Sequence, residues 1–457
     1  MDIVNQLRNA LGAASVRTGP EIPERNRAAV EAETADEPLA LVLPRSTAEV
    51  ATALALCNAA GQPVVPQGGM TGLVDAARPA RREIAISLER LNGVEEVDPV
   101  SGTITALAGT PLEVIQQAAE AAGMMIGIDL GARGSCTIGG NVATNAGGNS
   151  VIRFGMTRAN VRGLEAVLAD GSVVRSRTKM IKNNTGYDWP QVLIGSEGTL
   201  GIVTRVTLAL HPRPAAIATA LAVVADTGAA LALLRDLGAR LPGGLLVFEA
   251  MWQEFYAIAI GRMGLKAPFP AAQAVYLLIE APETGADGTA LLEALHANME
   301  EGRVLDAVIA QSDAERKQFW ALRESVYTHS RHFPRTIGFD VSFPLDRMAA
   351  ATEALRSRIA SSFPDAAWVV FGHLADGNLH VNIMAEPVGA TTRKRAEALV
   401  YGLVGELGGS VSAEHGIGRS KAGYLHLTRS PEELHLMGLI KRALDPRNIL
   451  SPGRVLI

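Results

Sequence analysis

The chain reads as an α+β protein in two parts with a returning tail, and three observations predict this. Three loops rich in Gly, Ser, Thr and Asn fall inside one α/β region that runs to about residue 212. Around Pro212 and Pro214 the pattern changes to long helices alternating with strands, which suits an antiparallel sheet with helices on one face. A turn-rich ending from about Ser420 looks built to pack back on the first part. The expected divisions are residues 1–212, 213–419 and 420–457.

The elements follow in order. MDIVNQLRNALGAA carries an acid at once and no long apolar core, so it predicts a short amphipathic helix and not a signal peptide. Ala40–Leu43 is a short strand, and Ser46-Thr47-Ala48-Glu49 fits a capping box opening a helix that Gly61 closes. Pro63–Pro66 is a buried-type strand leading into Gln67-Gly68-Gly69-Met70-Thr71-Gly72, one of the glycine loops. Ile84–Leu88 and Ile104–Ala108 read as strands, and Thr110-Pro111-Leu112-Glu113 starts a helix that stops at Gly123. The largest loop, Gly131–Gly148 (GARGSCTIGGNVATNAGG), precedes a strand ending in the turn Ala169–Ser172. The third loop is Gly195–Val203, GSEGTLGIV.

With 457 residues, 48% hydrophobic and 19% charged, the chain can bury a large interior spread over two or three domains. A formal net charge of −5 argues against nucleic acid, and Arg78, Arg81 and Arg82 are better explained as a solvated loop. Two distant cysteines, Cys57 and Cys136, build neither an iron–sulfur cluster nor a disulfide framework. No run reaches the length of a membrane span, so a cytoplasmic or matrix-type soluble enzyme is the default expectation.

Clustered glycines let a backbone turn sharply and present N–H groups to an anionic ligand. Neither a P-loop nor a G-x-G-x-x-G fingerprint occurs, which removes the usual nucleotide-binding alternatives and argues against direct use of a nicotinamide cofactor. In the second part, His373-Leu374-Ala375-Asp376-Gly377-Asn378-Leu379-His380 places two histidines on either side of a hairpin turn, facing each other, with Asn382 on the face of His380. Two imidazoles could grip a divalent metal, and Glu414-His415 offers a third ligand; an ordinary hairpin with surface histidines fits the spacing as well. Arg323 and Tyr327 lie four apart in an expected helix Ala314–Ser330 and should share a face, where Arg323 could hold a carboxylate or simply pair with Glu324.

PVVPQGGMTG, GSCTIGGNVATNAGG, NNTGYD, GSEGTLGIVT, GHLADGNLHVN, EHGIG and DPRNILSPG, in this order, resemble the FAD-linked D-2-hydroxyacid dehydrogenases of the vanillyl-alcohol-oxidase class. The resemblance spans nearly the whole chain. It implies a split FAD-binding domain of the PCMH type, with two α/β subdomains and a returning C-terminal segment, and an α+β cap on an antiparallel sheet. It implies FAD held by Gln67, Gly68, Gly69, Met70, Thr71 and Gly72 of one loop. The second loop would contribute Gly134, Ser135, Ile138, Gly139, Gly140, Asn141, Thr144, Asn145, Gly147 and Gly148, with Gly155 beyond it. Glu197, Gly201 and Ile202 would lie near the ribose and adenine, and Asn448 would join from the tail. Met70 stands where some relatives carry a flavin-tethering histidine, so the FAD should be non-covalent.

By the same resemblance, His373, His380 and Glu414 match metal ligands, usually for zinc with manganese as the alternative, and His415 matches the base. Arg323, Tyr327, Asn382 and the two histidines would bind a small 2-hydroxy acid whose Cα hydride passes to flavin N5. Where 2-hydroxyglutarate enzymes place a threonine and a lysine for a distal carboxylate, this sequence has Tyr327 and Gly338. A D-lactate-like or larger monocarboxylic acid is therefore expected, with D-2-hydroxyglutarate as the alternative if Arg331 or Arg335 compensates. A quinone, a cytochrome or an electron-transferring flavoprotein would take the electrons, and a homodimer is compatible with the pattern. Two further readings are a flavin subunit of a glycolate-oxidase-like complex and a flavin-dependent alkyl transferase.

Overall fold

The computed structural model describes residues 2–27, 37–176, 178–283, 289–333, 335–385 and 389–457. The chain divides into two compact units. The first comprises 1–148, 154–213 and 414–457, and the second 149–153 and 214–413.

In the first unit, a four-stranded sheet has the order Val16–Arg17, Ala40–Val42, Ile84–Ser87, Val64–Gln67. The last three run parallel, with Val64 opposite Ile84 and Ala40 on its other side. The crossover between Ala40–Val42 and Val64–Gln67 is the helix Thr47–Ala60. Ser46 Oγ accepts the Glu49 N–H at 3.2 Å, and Gly61 ends the helix at φ 62°. The Glu49 carboxylate caps the Arg45 N–H at 2.7 Å, one residue before the position a capping box would give it. The helix Ile3–Leu11 is capped by Asp2 and buries Leu7.

A second, all-antiparallel sheet has the order Val94–Asp98, Thr103–Leu107, Ile202–Pro212, Val161–Val167, Val173–Ser176, with Met124–Ile126 also paired to Ile202–Pro212. The helix Leu112–Ala121 follows Pro111, but Thr110 does not cap it. Its hydroxyl donates to the Leu107 carbonyl at 2.6 Å and accepts the Gly93 N–H at 2.8 Å, tying the strand ends together.

The tail joins this unit. Val64 N–H donates to Ile449 O and Ser451 N–H to Val64 O, each at 2.8 Å, so residues 449–451 run beside the strand that feeds the first glycine loop. The Asp445 carboxylate holds that turn through the Ile449 and Leu450 N–H groups. Ile449 and Leu450 are buried in one core with Leu54, Val64, Ile84, Ile138 and Val142.

The second unit is built on a seven-stranded antiparallel sheet. Its order is Asp306–Ile309, Ile217–Val224, Val275–Pro282, Val247–Trp252, Ala367–His373, Asn378–Met384, Ile337–Ser342. Helices cover both faces, not one. On one face Phe319 and Leu322 of the helix Asp313–Glu324 pack with Leu221, Met251, Leu278 and Phe371. On the other, Trp252 donates to Thr227, whose helix Thr227–Arg240 is hydrogen-bonded to Thr352 of the helix Met348–Ser362. Every strand here except the edge strands is buried on both sides, which explains their unbroken apolar runs.

Candidate active site

In the first unit the three glycine loops converge. A Cβ on Gly69 would stand 2.8 Å from Cys136 Cα and closer still to the Ser135 carbonyl, and one on Gly68 would meet Thr137 Oγ1 at 2.6 Å. A Cβ on Gly198 of the third loop would collide with the Pro66 ring. The third loop is also bonded to the second, through Gly195 N–H to Val142 O at 3.0 Å and Glu197 N–H to Ala143 O at 2.7 Å. Residues Ile138–Thr144 form a short helix, and Thr144 Oγ1 donates to Gly140 O at 3.1 Å. Around this junction the buried Thr137 Oγ1 and Asn141 Nδ2 have no hydrogen-bond partner among the described residues. Unsatisfied buried polar atoms beside glycine loops too tight for side chains fit a polar ligand pressed against the backbone.

Several residues expected at the cofactor serve the scaffold with their side chains. Gln67 is fully buried and spends its amide on Asn26 and Ala77. Asn145 adopts a left-handed conformation and accepts the Arg158 N–H at 2.8 Å. Ile138 and Ile202 are core residues, Gly201 lies against the Val167 carbonyl, and Gly155 takes a turn at φ 70°. A Cβ on Gly134 would lie 3.3 Å from the Glu113 carboxylate, and Ser135 donates to Ala132 O. Met70 takes φ 59°, Thr71 is half-buried and Gly72 faces open space. Asn448 is an exposed turn residue at φ 51°.

Glu197 has a role that its place in a loop did not suggest. Its buried carboxylate accepts Ile417 N–H at 2.7 Å and Gly418 N–H at 2.8 Å. It therefore holds the EHGIG segment, and this is why residues 414–419 cluster with the first unit. Burial pushes this carboxyl up, against the pull of the two N–H groups and the Lys421 charge. Glu414, at the head of that segment, accepts the Gly148 N–H at 2.9 Å, and Gly147 lies against the same carboxylate. His415 is half-buried.

In the second unit the hairpin brings His373 and His380 together edge-to-face, ring centroids 5.4 Å apart. The strands Ala367–His373 and Asn378–Met384 are joined through the turn at Leu374–Asp376 and Gly377, φ 81°, where a Cβ would strike the Phe343 carbonyl. The histidines are not cross-strand partners as the turn alone suggests. Phe371 lies opposite His380, while His373 lies opposite Glu249 on the other neighbouring strand. Asp340 faces His380 from Ile337–Ser342, and Gly338 faces Asn382.

Glu249 organises this face. It is 1% exposed, it is bonded through Oε1 to His373 Nδ1, and its Oε2 accepts from Arg323 Nε at 2.7 Å. Burial pushes its carboxyl up, but the charges of His373 and Arg323 and their hydrogen bonds outweigh that and hold it at about 2. Arg323 is 4% exposed and lies over the Phe371 ring, 4.8 Å from its centroid. Its partner is thus Glu249, and not the neighbouring Glu324. Tyr327 does not share its face: it is 62% exposed. The α-helix ends at Glu324 and continues as a 3₁₀ segment, Ser325–Arg331, whose tighter winding carries the fourth residue round to solvent.

Asp340, 0% exposed, accepts from Asn378 Nδ2 at 2.9 Å and from the Ala413 N–H at 3.1 Å. Its Oδ1 stands 3.8 Å from His380 Nδ1. Ala413 is the residue before Glu414. Sequence reading passed over both carboxylates, yet a signal existed: an acid inside an apolar run, VFEAMW or IGFDVSF, has to be paired if the strand is buried.

Chains of known structure share this architecture. A p-cresol methylhydroxylase with substrate bound superposes with a TM-score of 0.77 at 17% identity, covering 100% of this chain and 96% of that one. An alkyldihydroxyacetonephosphate synthase gives 0.76 at 16%, covering 98% and 84%. At such identities the likeness defines the fold, a PCMH-type FAD-binding fold of the α+β class.

Residues 38–177 match the FAD binding domain model, and residues 213–455 match that of the FAD linked oxidases, C-terminal domain. D-2-hydroxyglutarate dehydrogenase of Xanthomonas citri pv. viticola is 38% identical over 461 residues, 98% of this chain and 96% of that protein. The mitochondrial D-2-hydroxyglutarate dehydrogenase of Bos taurus is 39% identical over 419 residues, 91% and 76% of the two chains. The chain belongs to the FAD-linked oxidase family, in its D-2-hydroxyacid dehydrogenase branch. FAD is its cofactor. Among the described residues no helix is long and apolar enough to cross a membrane.

Proposed function

We propose that this enzyme oxidises a monocarboxylic D-2-hydroxy acid, D-lactate or a larger apolar relative, to the 2-oxo acid. The observation that carries the reading is the buried set Glu249, His373 and Arg323 beside His380 on one sheet face: a guanidinium for a carboxylate next to two imidazoles. In this reading His373 and His380 hold a divalent cation, zinc or manganese, and Glu414 completes the set. The donor chemistry fits: with a carboxylate on His373 Nδ1, Nε2 is the ring nitrogen that would ligate a metal.

When bound, FAD supplies the hydride acceptor at N5 and the cation a Lewis acid for the 2-hydroxyl. Arg323 binds the substrate carboxylate, and Asn382 fixes the hydroxy acid on the strand beside it. His415 takes the hydroxyl proton at a ring nitrogen, a contribution worth roughly 10²–10⁴ in rate. The FAD is non-covalent, with Gly68, Gly69, Thr71, Gly72, Gly139, Gly140, Gly147 and Gly148 against it, and electrons leave to a quinone, cytochrome or flavoprotein acceptor.

Substrate choice turns on Gly338 and Tyr327. Gly338, opposite Asn382, offers no cation, and Tyr327 faces solvent, so a second carboxylate would lack a partner there. The names of the relatives favour a second reading, D-2-hydroxyglutarate, in which the exposed Arg331 or Arg335 supplies the charge. The deciding experiment is an anaerobic titration with D- and L-2-hydroxy acids, with and without EDTA. Flavin bleaching by a monocarboxylic D-acid, lost on chelation and restored by zinc or manganese, is expected. Bleaching by D-2-hydroxyglutarate alone selects the second reading, and bleaching that survives chelation removes the metal.

A further inference from the structure

Glu249 is the one acid in the strand Val247–Trp252, and a carboxylate buried that deeply is costly unless its oxygens are paired. The pairing divides cleanly between them. Oε2 takes Arg323 Nε, and Oε1 takes His373 Nδ1. We propose that Glu249 is the positioning residue of this site: one carboxylate sets His373 in the tautomer protonated at Nδ1, leaving Nε2 as the metal donor, and fixes Arg323 for the substrate carboxylate. The inference rests on the metal reading above.

The sheet register makes the arrangement rigid. Glu249 and His373 are direct partners on adjacent antiparallel strands, so neither can slide without breaking the ladder. Arg323 is fixed a second time by its stacking on Phe371. A buried carboxylate thus holds the His373 ring at Nδ1.

Replacing the carboxylate by an amide reverses that tautomer. Glutamine has one acceptor oxygen, and the charged Arg323 competes best for it. The amide nitrogen then donates to His373 Nδ1, which puts the ring proton on Nε2 and blocks it as a ligand.

The test uses the FAD-loaded enzyme after chelation, labelled with ¹⁵N-histidine, with His373→Gln for assignment. At a pH where its ring is neutral, His373 is expected as the Nδ1–H form in the wild type and the Nε2–H form in Glu249→Gln. Competition against a chromophoric chelator should show zinc affinity falling about 10–100-fold in Glu249→Gln with FAD content unchanged. An Nε2–H His373 in the wild type overturns the proposal, as does wild-type tautomer and zinc affinity in the variant. Should the variant not fold, the wild-type tautomer decides alone. A wild type with Nδ1–H His373 that binds no zinc sinks the metal reading and upholds the positioning of His373.

Discussion

Removing the Glu197 carboxylate should release the segment that carries His415. In Glu197→Ala the Ile417 and Gly418 N–H groups, now bonded at 2.7 and 2.8 Å, lose their acceptor. Gly418 is buried, and Ile417 is half-buried. An orphaned buried donor costs about 1–3 kcal/mol, so two give roughly 2–6 kcal/mol. Burial of the carboxyl works against it in the native state, and its removal relieves that strain, which places the net loss near the lower end, about 2–3 kcal/mol. A loss of about 2 kcal/mol is roughly 30-fold in the ratio of held to released segment, and kcat/KM should fall by up to that factor. Glu197→Gln keeps one acceptor oxygen and should fall between. The assays are anaerobic stopped-flow bleaching of the flavin and thermal unfolding of the FAD-loaded protein. The reasoning fails if Glu197→Ala loses only FAD while its loaded fraction turns over normally, for then Glu197 serves the ribose and not the segment.

Gly69→Ala forces a methyl into the Ser135–Cys136 backbone, which cannot yield as a side-chain tip could, so about 1–3 kcal/mol or more is lost where the loops meet. It should purify largely without FAD, and stoichiometric flavin would refute the close approach. His329 is buried with both ring nitrogens unpartnered among the described residues, and burial, then the charge of His332, lowers its pKa to about 4. A depressed pKa contributes stability above the ordinary 6.5 that is lost as pH falls toward 4, so His329→Phe should flatten the decline of the urea midpoint across that window. An unchanged slope would assign the acid sensitivity elsewhere. Gly338→Lys should raise the kcat/KM ratio of D-2-hydroxyglutarate to D-lactate by roughly 10–100-fold, the worth of a charge-assisted hydrogen bond. A ratio that does not move would show that the distal end of the substrate does not lie at this strand.

The amino-acid sequence by itself determined the features that depend on near neighbours. Ser46 and Gly61 bound their helix, Asp376-Gly377 turned the hairpin, and the three glycine loops were visible because close packing and left-handed turns restrict the residue at that one position. The order of the motifs carried the family and FAD. Tertiary structure alone decided which charges meet. Glu249 is 74 residues from Arg323 and 124 from His373, and only the strand order together with the helix packed on that face brings the three together. Glu197 finds its partners 220 and 221 residues away. Tyr327 went to solvent because the chain tightened into a 3₁₀ segment after Glu324, a change that local propensity does not announce. Periodicity reports which face a residue takes within its own element. A buried carboxylate chooses its partner among elements far apart in the chain, and folding, by withdrawing water from it, makes that choice obligatory.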